Sequence, residues 1–184
     1  MEVESVALSG VLLLTPRVFG DERGFFLESW NQRTFDEAVG RPVTFVQDNR
    51  SRSSRGVLRG LHYQIEPAAQ GKLVSVLSGS IFDVVVDLRR DSSTFGQSFG
   101  LELRAENHTM IWVPAGFAHG FLVTSESAEV SYKATDFYSP QHERCIRWDD
   151  PDLSIVWPLE SHKPTVSAKD AEGAPFAEFD RGHT

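Results

Sequence analysis

Three side chains that could move a proton or stabilise a negative charge lie close together in the sequence. Arg59 and His62 stand in an apolar segment that is interrupted by glycines, and Lys72 begins the apolar run that follows. Cationic and titratable groups are seldom placed near a core without a partner or a chemical task. We therefore interpret residues 55–74 as a candidate active site.

The alternation of a β-strand indicates where these side chains point. Lys72 shares a face with Val74, which is as typical of a lysine that reaches from a strand end into water as of a lysine inside a cavity. Arg59 and His62 are three positions apart and would lie on opposite faces of a regular strand. A bulge at Gly60 would bring them to the same side.

A tyrosine in a later segment is also expected to face inward. Tyr132 alternates with Ser131 and Lys133 and shares the apolar face of its segment with Val130 and Ala134. Its hydroxyl group then needs a partner inside the barrel. The simplest interpretation of this residue alone is a core tyrosine bonded to a carbonyl group.

The second histidine of interest, His119, ends a Pro-x-Gly-x-x-His sequence at residues 114–119. This arrangement resembles the second motif of the cupin superfamily. Many cupins bind a metal through that histidine, an earlier His-x-His pair and a glutamate, but here Tyr63 and Gln64 follow His62. Because a transition-metal site generally needs at least three protein ligands, we expect no metal.

Composition limits the class of protein. The 184 residues, 40% of them hydrophobic, are enough for one substantial core, so we expect a single domain over residues 1–184. A net charge of −8 argues against a nucleic-acid-binding protein. The only cysteine, Cys145, is expected to be a buried structural thiol. No segment has the length and apolarity of a membrane span or a signal peptide, so we expect a cytoplasmic protein.

Short apolar runs separated by glycine, proline and asparagine predict many strands and one short helix, at residues 32–39. Arg50, Arg52 and Arg55 alternate with serines and are interpreted as part of a solvated loop. The predicted strands are residues 24–30, 44–48, 72–78, 81–88, 99–103, 109–113, 120–124 and 128–135. This pattern favours an all-β sandwich or jelly roll, with the part after Trp148 packed over it as short irregular segments.

Several unusual motifs occur in an order in which this sequence resembles one enzyme family, the dTDP-4-dehydrorhamnose 3,5-epimerases. The resemblance runs from about residue 11 to residue 170. The motifs are Asp21-Glu22-Arg23-Gly24-Phe25-Phe26-x-Glu28, Gln47-Asp48-Asn49, residues 55–62, Gln70-Gly71-Lys72-Leu73-Val74, residues 83–89, residues 114–121, Ser131-Tyr132-Lys133 and Ser167-Ala168-Lys169-Asp170.

The resemblance implies a metal-free, cofactor-independent cupin jelly roll with short peripheral helices that epimerises dTDP-4-dehydro-6-deoxy-D-glucose on the route to dTDP-L-rhamnose. In this family pattern His62 is the base, and Asp170 orients it. Tyr132 is the acid that returns a proton from the opposite face of the sugar. Lys72 stabilises the enolate that forms between the two proton transfers.

The same resemblance implies the substrate contacts and the assembly. A homodimer is expected, in which residues 23–28 reach the site of the neighbouring subunit. The nucleotide-sugar contacts implied by the family are Arg23, Phe26, Glu28, Gln47, Asp48, Asn49, Arg59, Lys72, His119, Tyr138, Glu143 and Lys169, with Tyr138 stacked on the thymine ring and Arg23, Arg59 and Lys169 near the diphosphate.

Other functions are compatible with the sequence. A mono-epimerase or ketoisomerase for a related dTDP-4-keto-6-deoxy sugar would use the same base and fold, although the presence of both His62 and Tyr132 favours inversion. A metal-dependent cupin oxygenase is disfavoured because the His-x-His pair is missing. A sugar-binding cupin without catalysis would require that His62 be dispensable for activity.

Overall fold

The computed structural model describes residues 1–159 and 163–181, which contain thirteen strands, three short α-helices and one 3₁₀ turn at Ala105–Asn107. The strands are β1 (Glu2–Ser5), β2 (Leu12–Thr15), β3 (Val18–Asp21), β4 (Gly24–Leu27), β5 (Gln47–Ser54), β6 (Leu58–Gln64), β7 (Lys72–Ser78), β8 (Ser80–Asp87), β9 (Ser98–Arg104), β10 (Met110–Val113), β11 (Phe117–Val123), β12 (Ser127–Ala134) and β13 (Glu143–Cys145). The helices are α1 (Gln32–Val39), α2 (Ala168–Ala171) and α3 (Phe176–Arg181). Within the described ranges, no helix has the length and apolarity needed to cross a bilayer.

Two antiparallel sheets face each other and form the barrel. One sheet has six strands in the order β1-β2-β10-β7-β12-β5, and the other has five in the order β13-β6-β11-β8-β9. Side chains from both sheets meet between them, including Val74 and Val130 from the first and Val85 and Phe121 from the second. The predicted cupin-type jelly roll is therefore confirmed.

The outer face of each sheet is also covered, which explains why several strands read as continuous apolar runs. Trp157 packs on Phe82 of the five-stranded sheet, and Phe176 of α3 belongs to the same apolar cluster. On the six-stranded sheet, Phe35 of α1 packs edge-on against Trp112. The C-terminal segments thus pack over the barrel, as the sequence predicts.

Helix α1 has the predicted bounds because local signals define both of its ends. The side chain of Asn31 accepts a hydrogen bond from the backbone N–H of Thr34. Gly40 ends the helix in the left-handed conformation, at φ 79°, and its N–H donates to the carbonyl oxygen of Asp36. The single buried residue of α1, Phe35, then anchors the helix to the sheet.

The interpretation of the arginine run as a solvated loop is wrong for Arg50 and Arg52 and correct for Arg55. Arg50 and Arg52 belong to β5, which begins at Gln47 instead of residue 44 and pairs with β12 along its whole length. Both arginines are exposed on this edge strand, and Arg55 is exposed just beyond it. The polar sequence hides the strand because an edge strand needs few apolar side chains.

Two further strand bounds differ from expectation by three residues. β4 ends at Leu27 instead of residue 30, and β11 begins at Phe117 instead of residue 120, so His119 lies inside the strand instead of just before it. Five strands are absent from the predicted set because they are short or interrupted by glycine, namely β1, β2, β3, β6 and β13.

The expected bulge in β6 is confirmed. His119 pairs with His62 and Phe121 pairs with Arg59, so three steps along β6 match two steps along β11. Gly60 provides the extra residue at φ 120°, where a Cβ atom would come 2.5 Å from the Cα of Gly120. Only glycine allows the two strands to approach this closely.

We expect Gly60→Ala to lower the free energy of unfolding by about 3 kcal/mol, because it combines an unfavourable φ with a backbone clash. Gly40→Ala is the matched control, since Gly40 also has a positive φ but a Cβ atom added there would meet no neighbouring atom within 4 Å. It should cost about 1 kcal/mol. Urea denaturation of both variants measures the difference, and equal losses would show that the strand approach at Gly60 carries no penalty of its own.

Candidate active site

A pocket of about 480 Å³ opens between the two sheets. It contains most of the side chains that the sequence analysis selected. They are Gln47, Asn49, Arg59, His62, Lys72, His119, Tyr132, Tyr138, Glu143, Lys169 and Asp170.

Four of the selected residues do not line this pocket. Arg23 and Phe26 lie on the hairpin formed by β3 and β4, a two-stranded sheet of its own, and Phe26 is 70% exposed. Glu28 follows the hairpin and is exposed. Asp48 pairs instead with Lys133, at 2.9 Å, because it lies on the face of β5 opposite to the pocket-lining residues on either side of it.

His62 lies between two carboxylates that come from different segments. Its Nε2 atom is 2.7 Å from Oδ1 of Asp170 at the start of α2, and its Nδ1 atom is 3.3 Å from Oε1 of Glu143 on β13. Asp170 is only 4% exposed. Burial alone would raise the pKa of Asp170, but contacts with His62 and Ser167 hold it below its usual value.

Glu143 connects three other side chains. Its Oε2 atom accepts hydrogen bonds from the Tyr138 hydroxyl, at 2.6 Å, and from the ammonium group of Lys169, while Oε1 faces His62. Burial would raise the pKa of Glu143, but the two hydrogen bonds lower it, so the group is held as a carboxylate. The predicted substrate-binding residues Tyr138 and Lys169 are thus linked to the imidazole of His62 through a single side chain.

Lys72 lies inside the pocket instead of reaching into bulk water. Its ammonium nitrogen is 3.5 Å from the carbonyl oxygen of His62 and 6.0 Å from the centre of the Tyr132 ring. Burial lowers the pKa of Lys72 to about 8, partly offset by Glu143 and Asp83. Burial also raises the pKa of Tyr132, so its phenol stays protonated. The cavity alternative for Lys72 is therefore the correct one.

His119 has a fully buried partner that the sequence analysis did not select. Its Nε2 atom is 2.8 Å from Oδ2 of Asp83, which is 0% exposed on β8. The two residues lie on adjacent strands, where Phe121 pairs directly with Asp83. The signal was available, because a carboxylate inside the apolar run of β8 needs a partner.

Further lining residues were missed. Ser51 shares the pocket face of β5 with Gln47 and Asn49, which the two-residue period of a strand would have revealed once β5 was recognised. Gln64 donates to the carbonyl oxygen of Phe137 and accepts from the N–H of Ser139, so it fixes the residues on both sides of Tyr138. No sequence pattern predicts this long-range contact.

Cys145 is half-buried instead of fully buried, and it pairs directly with His62 across β13 and β6. The thiol thus lies beside the imidazole. Burial raises its pKa to about 12, and the nearby charge of Asp170 adds to this effect, so the group is a poor nucleophile.

The arrangement suits proton removal next to a carbonyl group. An imidazole oriented by a carboxylate can accept a proton, an ammonium group can stabilise an enolate, and a protonated phenol can return a proton. These groups come from both sheets, so a molecule bound between them would have the imidazole on one face and the phenol on the other.

Known proteins are similar to this chain in sequence and in fold. Residues 5–178 match the family model described as dTDP-4-dehydrorhamnose 3,5-epimerase. The enzyme of that name from Pseudomonas aeruginosa is 61% identical over 180 residues, which cover 98% of each chain.

Two solved structures show how far the fold is shared. A 3,5-epimerase from Legionella pneumophila in complex with dTDP-4-keto-L-rhamnose superposes with a TM-score of 0.93 and is 46% identical, covering 98% of this chain and 95% of its own. A 3′-monoepimerase from Streptomyces bikiniensis in complex with dTDP-quinovose has a TM-score of 0.89 and 33% identity, covering 96% of this chain and 88% of its own. By sequence over nearly its whole length, this chain belongs to the dTDP-4-dehydrorhamnose 3,5-epimerase family.

Proposed function

We propose that this protein inverts carbons 3 and 5 of dTDP-4-dehydro-6-deoxy-D-glucose and forms dTDP-4-dehydro-L-rhamnose. The observation that carries the proposal is the position of His62 and Tyr132 on opposite sheets, with a pocket between them. Inversion at a carbon requires that a proton leave from one face and return to the other. A base and an acid on facing sheets meet this requirement.

His62 is the base in this proposal. Asp170 binds the Nε2 side of the ring and favours the tautomer that carries its proton there, which leaves Nδ1 free to accept the substrate's proton. The carboxylate of Asp170 also stabilises the imidazolium that results. Glu143, 3.3 Å from Nδ1, has to turn aside when a substrate C–H group approaches.

Lys72 lowers the energy of the intermediate. The ketone at carbon 4 makes the protons on carbons 3 and 5 acidic, because removal of either gives an enolate whose negative charge lies on oxygen. The ammonium group of Lys72 is buried near both His62 and Tyr132, where its attraction for an oxyanion is little screened by water.

Tyr132 then returns a proton from the other sheet. Its raised pKa keeps the hydroxyl protonated at neutral pH, as a general acid requires. Two rounds of removal and return, one at carbon 3 and one at carbon 5, complete the reaction without a cofactor.

The nucleotide part of the substrate is assigned to the outer part of the pocket. Tyr138 offers an aromatic ring for the thymine, and Lys169 and Arg59 offer positive charge for the diphosphate. Gln47, Asn49 and His119 provide hydrogen-bonding groups.

We further propose a homodimer in the cytoplasm, with residues 1–184 as one domain. The hairpin of β3 and β4 exposes Phe19, Phe25 and Phe26, at 51%, 65% and 70%. Exposed aromatic side chains on one small element are typical of an interface. Contact with a second copy would bury them and carry Arg23, Phe26 and Glu28 to the neighbouring pocket.

His62→Ala and Tyr132→Phe should differ in proton exchange with heavy water. Loss of the base should abolish exchange at both carbons, whereas loss of the acid should leave exchange detectable while product formation falls by roughly 10²- to 10⁴-fold. Proton NMR of dTDP-4-dehydro-6-deoxy-D-glucose follows both signals directly.

The matched control for the base is His142→Ala, which removes a histidine bonded to Ser139 outside the pocket lining and should exchange at the wild-type rate. Wild-type exchange by His62→Ala would refute the base assignment. Exchange at carbon 3 alone by the wild-type protein would identify a mono-epimerase.

The value of kcat/KM should fall as the pH rises through about 8, because Lys72 is charged below that pH and neutral above it. Lys72→Met should lower kcat by about 10²- to 10³-fold and remove this alkaline decline. A pH series on both proteins tests the assignment, and an unchanged decline in Lys72→Met would assign it to another group.

Two inactive variants should restore activity when mixed if the hairpin serves the neighbouring subunit. One carries His62→Ala, and the other carries Arg23→Ala with Phe26→Ala. A mixed dimer then has one site with both defects and one site with neither, so activity returns. Subunit exchange followed by the epimerase assay tests this, and analytical ultracentrifugation reports the dimer. No recovery in proven mixed dimers would place the hairpin at its own subunit's site.

A further inference from the structure

Three potential metal ligands of different types meet beside the pocket, two of them on its lining. They are one imidazole nitrogen of His62, the Sγ atom of Cys145 and one carboxylate oxygen of Asp170, and all three atoms lie within 4.8 Å of one another. The proposed reaction uses His62 and Asp170 but gives no role to Cys145.

The backbone holds these three residues together. His62 and Cys145 are directly opposite on β6 and β13, and the hydrogen bonds of this pair of strands fall on Leu61 and Ile146 instead. His62 and Cys145 are therefore a non-hydrogen-bonded pair, in which side chains lie closest, with Cα atoms about 4.5 Å apart. The site needs no large rearrangement to form.

Asp170 is tied to the same strand by backbone contacts. The N–H of Ala174 donates to the carbonyl oxygen of Cys145 at 2.9 Å, and the N–H of Arg147 donates to the carbonyl oxygen of Ala174 at 3.0 Å. Gly173 lies so close to Arg147 that a Cβ atom would come 2.6 Å from its backbone nitrogen. The segment that carries Asp170 is thus fixed against β13.

The ligand atoms are also incompletely bonded. Within residues 1–159 and 163–181, Oδ1 of Asp170 and Nδ1 of His62 are buried without a well-directed hydrogen bond. The contact between Oδ1 and Nε2, at 2.7 Å, is short enough to share the Nε2 proton, but its direction leaves both groups incompletely bonded. Buried polar atoms left in this state gain from an additional electrophilic partner.

We propose that His62, Cys145 and Asp170 form an inhibitory zinc site. A Zn²⁺ ion bound there blocks the imidazole of His62, the catalytic base, and stops the reaction. Thiolate, imidazole and carboxylate are the ligands that zinc prefers, and a water molecule completes a tetrahedral site. Donor atoms around zinc are about 3.3 to 3.6 Å apart. Side-chain rotations that move the donor atoms by roughly 1 Å are therefore sufficient to form the site.

Zinc binding would displace two protons from the site. The Cys145 thiol and the proton held between His62 and Asp170 are both released to solvent as the ion binds. The negative charges that oppose ionisation of the thiol attract a divalent cation, and Glu143 adds to this attraction from the other side of His62. The positive charges of Lys72 and Lys169 oppose it.

The test compares the wild-type protein with Cys145→Ala, using zinc chloride in the epimerase assay. We expect zinc to inhibit the wild-type protein reversibly, with recovery on addition of EDTA. Cys145→Ala should keep its activity in the absence of zinc, and it should need about 10- to 100-fold more zinc for half-inhibition. Magnesium, which prefers oxygen ligands, should not inhibit either protein.

Cobalt(II) provides a readout that does not depend on catalysis. A thiolate bound to cobalt gives a charge-transfer absorption in the near ultraviolet, which should appear with the wild-type protein and with His142→Ala but not with Cys145→Ala. The cobalt absorption therefore tests metal binding without assuming the proposed function. Only the zinc inhibition rests on that function. Equal zinc sensitivity of wild type and Cys145→Ala, or no thiolate band in the wild-type protein, would overturn the proposal.

Discussion

The contact between His62 and Asp170 is the constraint on which the rest of the structure depends. One member lies on a strand inside the barrel, and the other lies on a helix that follows the last strand. A contact of 2.7 Å between such distant segments requires that the C-terminal part be fixed as firmly as a strand. Backbone hydrogen bonds to β13 provide this, and the apolar cluster around Trp157 and Phe176 adds packing. Helix α2, although it lies outside the barrel, is therefore part of the site.

The pocket also balances its charges across a region of low dielectric. Each carboxylate meets a cation or an imidazole: Asp83 faces His119, Asp170 faces His62, and Glu143 faces both His62 and Lys169. A buried carboxylate without such a partner would become protonated or destabilise the fold. Lys72 is held less tightly, which leaves a cationic group available for a negatively charged intermediate.

The sequence predicts those features whose causes are local. Helix α1 is bounded by Asn31 and Gly40, and the bulge at Gly60 follows from the spacing of Arg59 and His62. Family resemblance selected most of the pocket residues, because their motifs are continuous in the sequence. The features that could not be predicted from the sequence depend on contacts between distant segments or lie on an exposed face. β5 lacks an apolar stripe because it lies at an edge, and Asp83 acquires its partner only when β8 and β11 align.

The close approach of β6 and β11 has an evolutionary consequence. A Cβ atom at Gly60 would meet the Cα of Gly120 and the carbonyl oxygen of His119, and one at Gly120 would meet the carbonyl oxygen of Arg59. All of these obstacles are main-chain atoms, so no second substitution can make room by shortening a side chain. Mutations at either glycine therefore lack a local compensating substitution, and we expect both positions to change rarely among descendants of this chain.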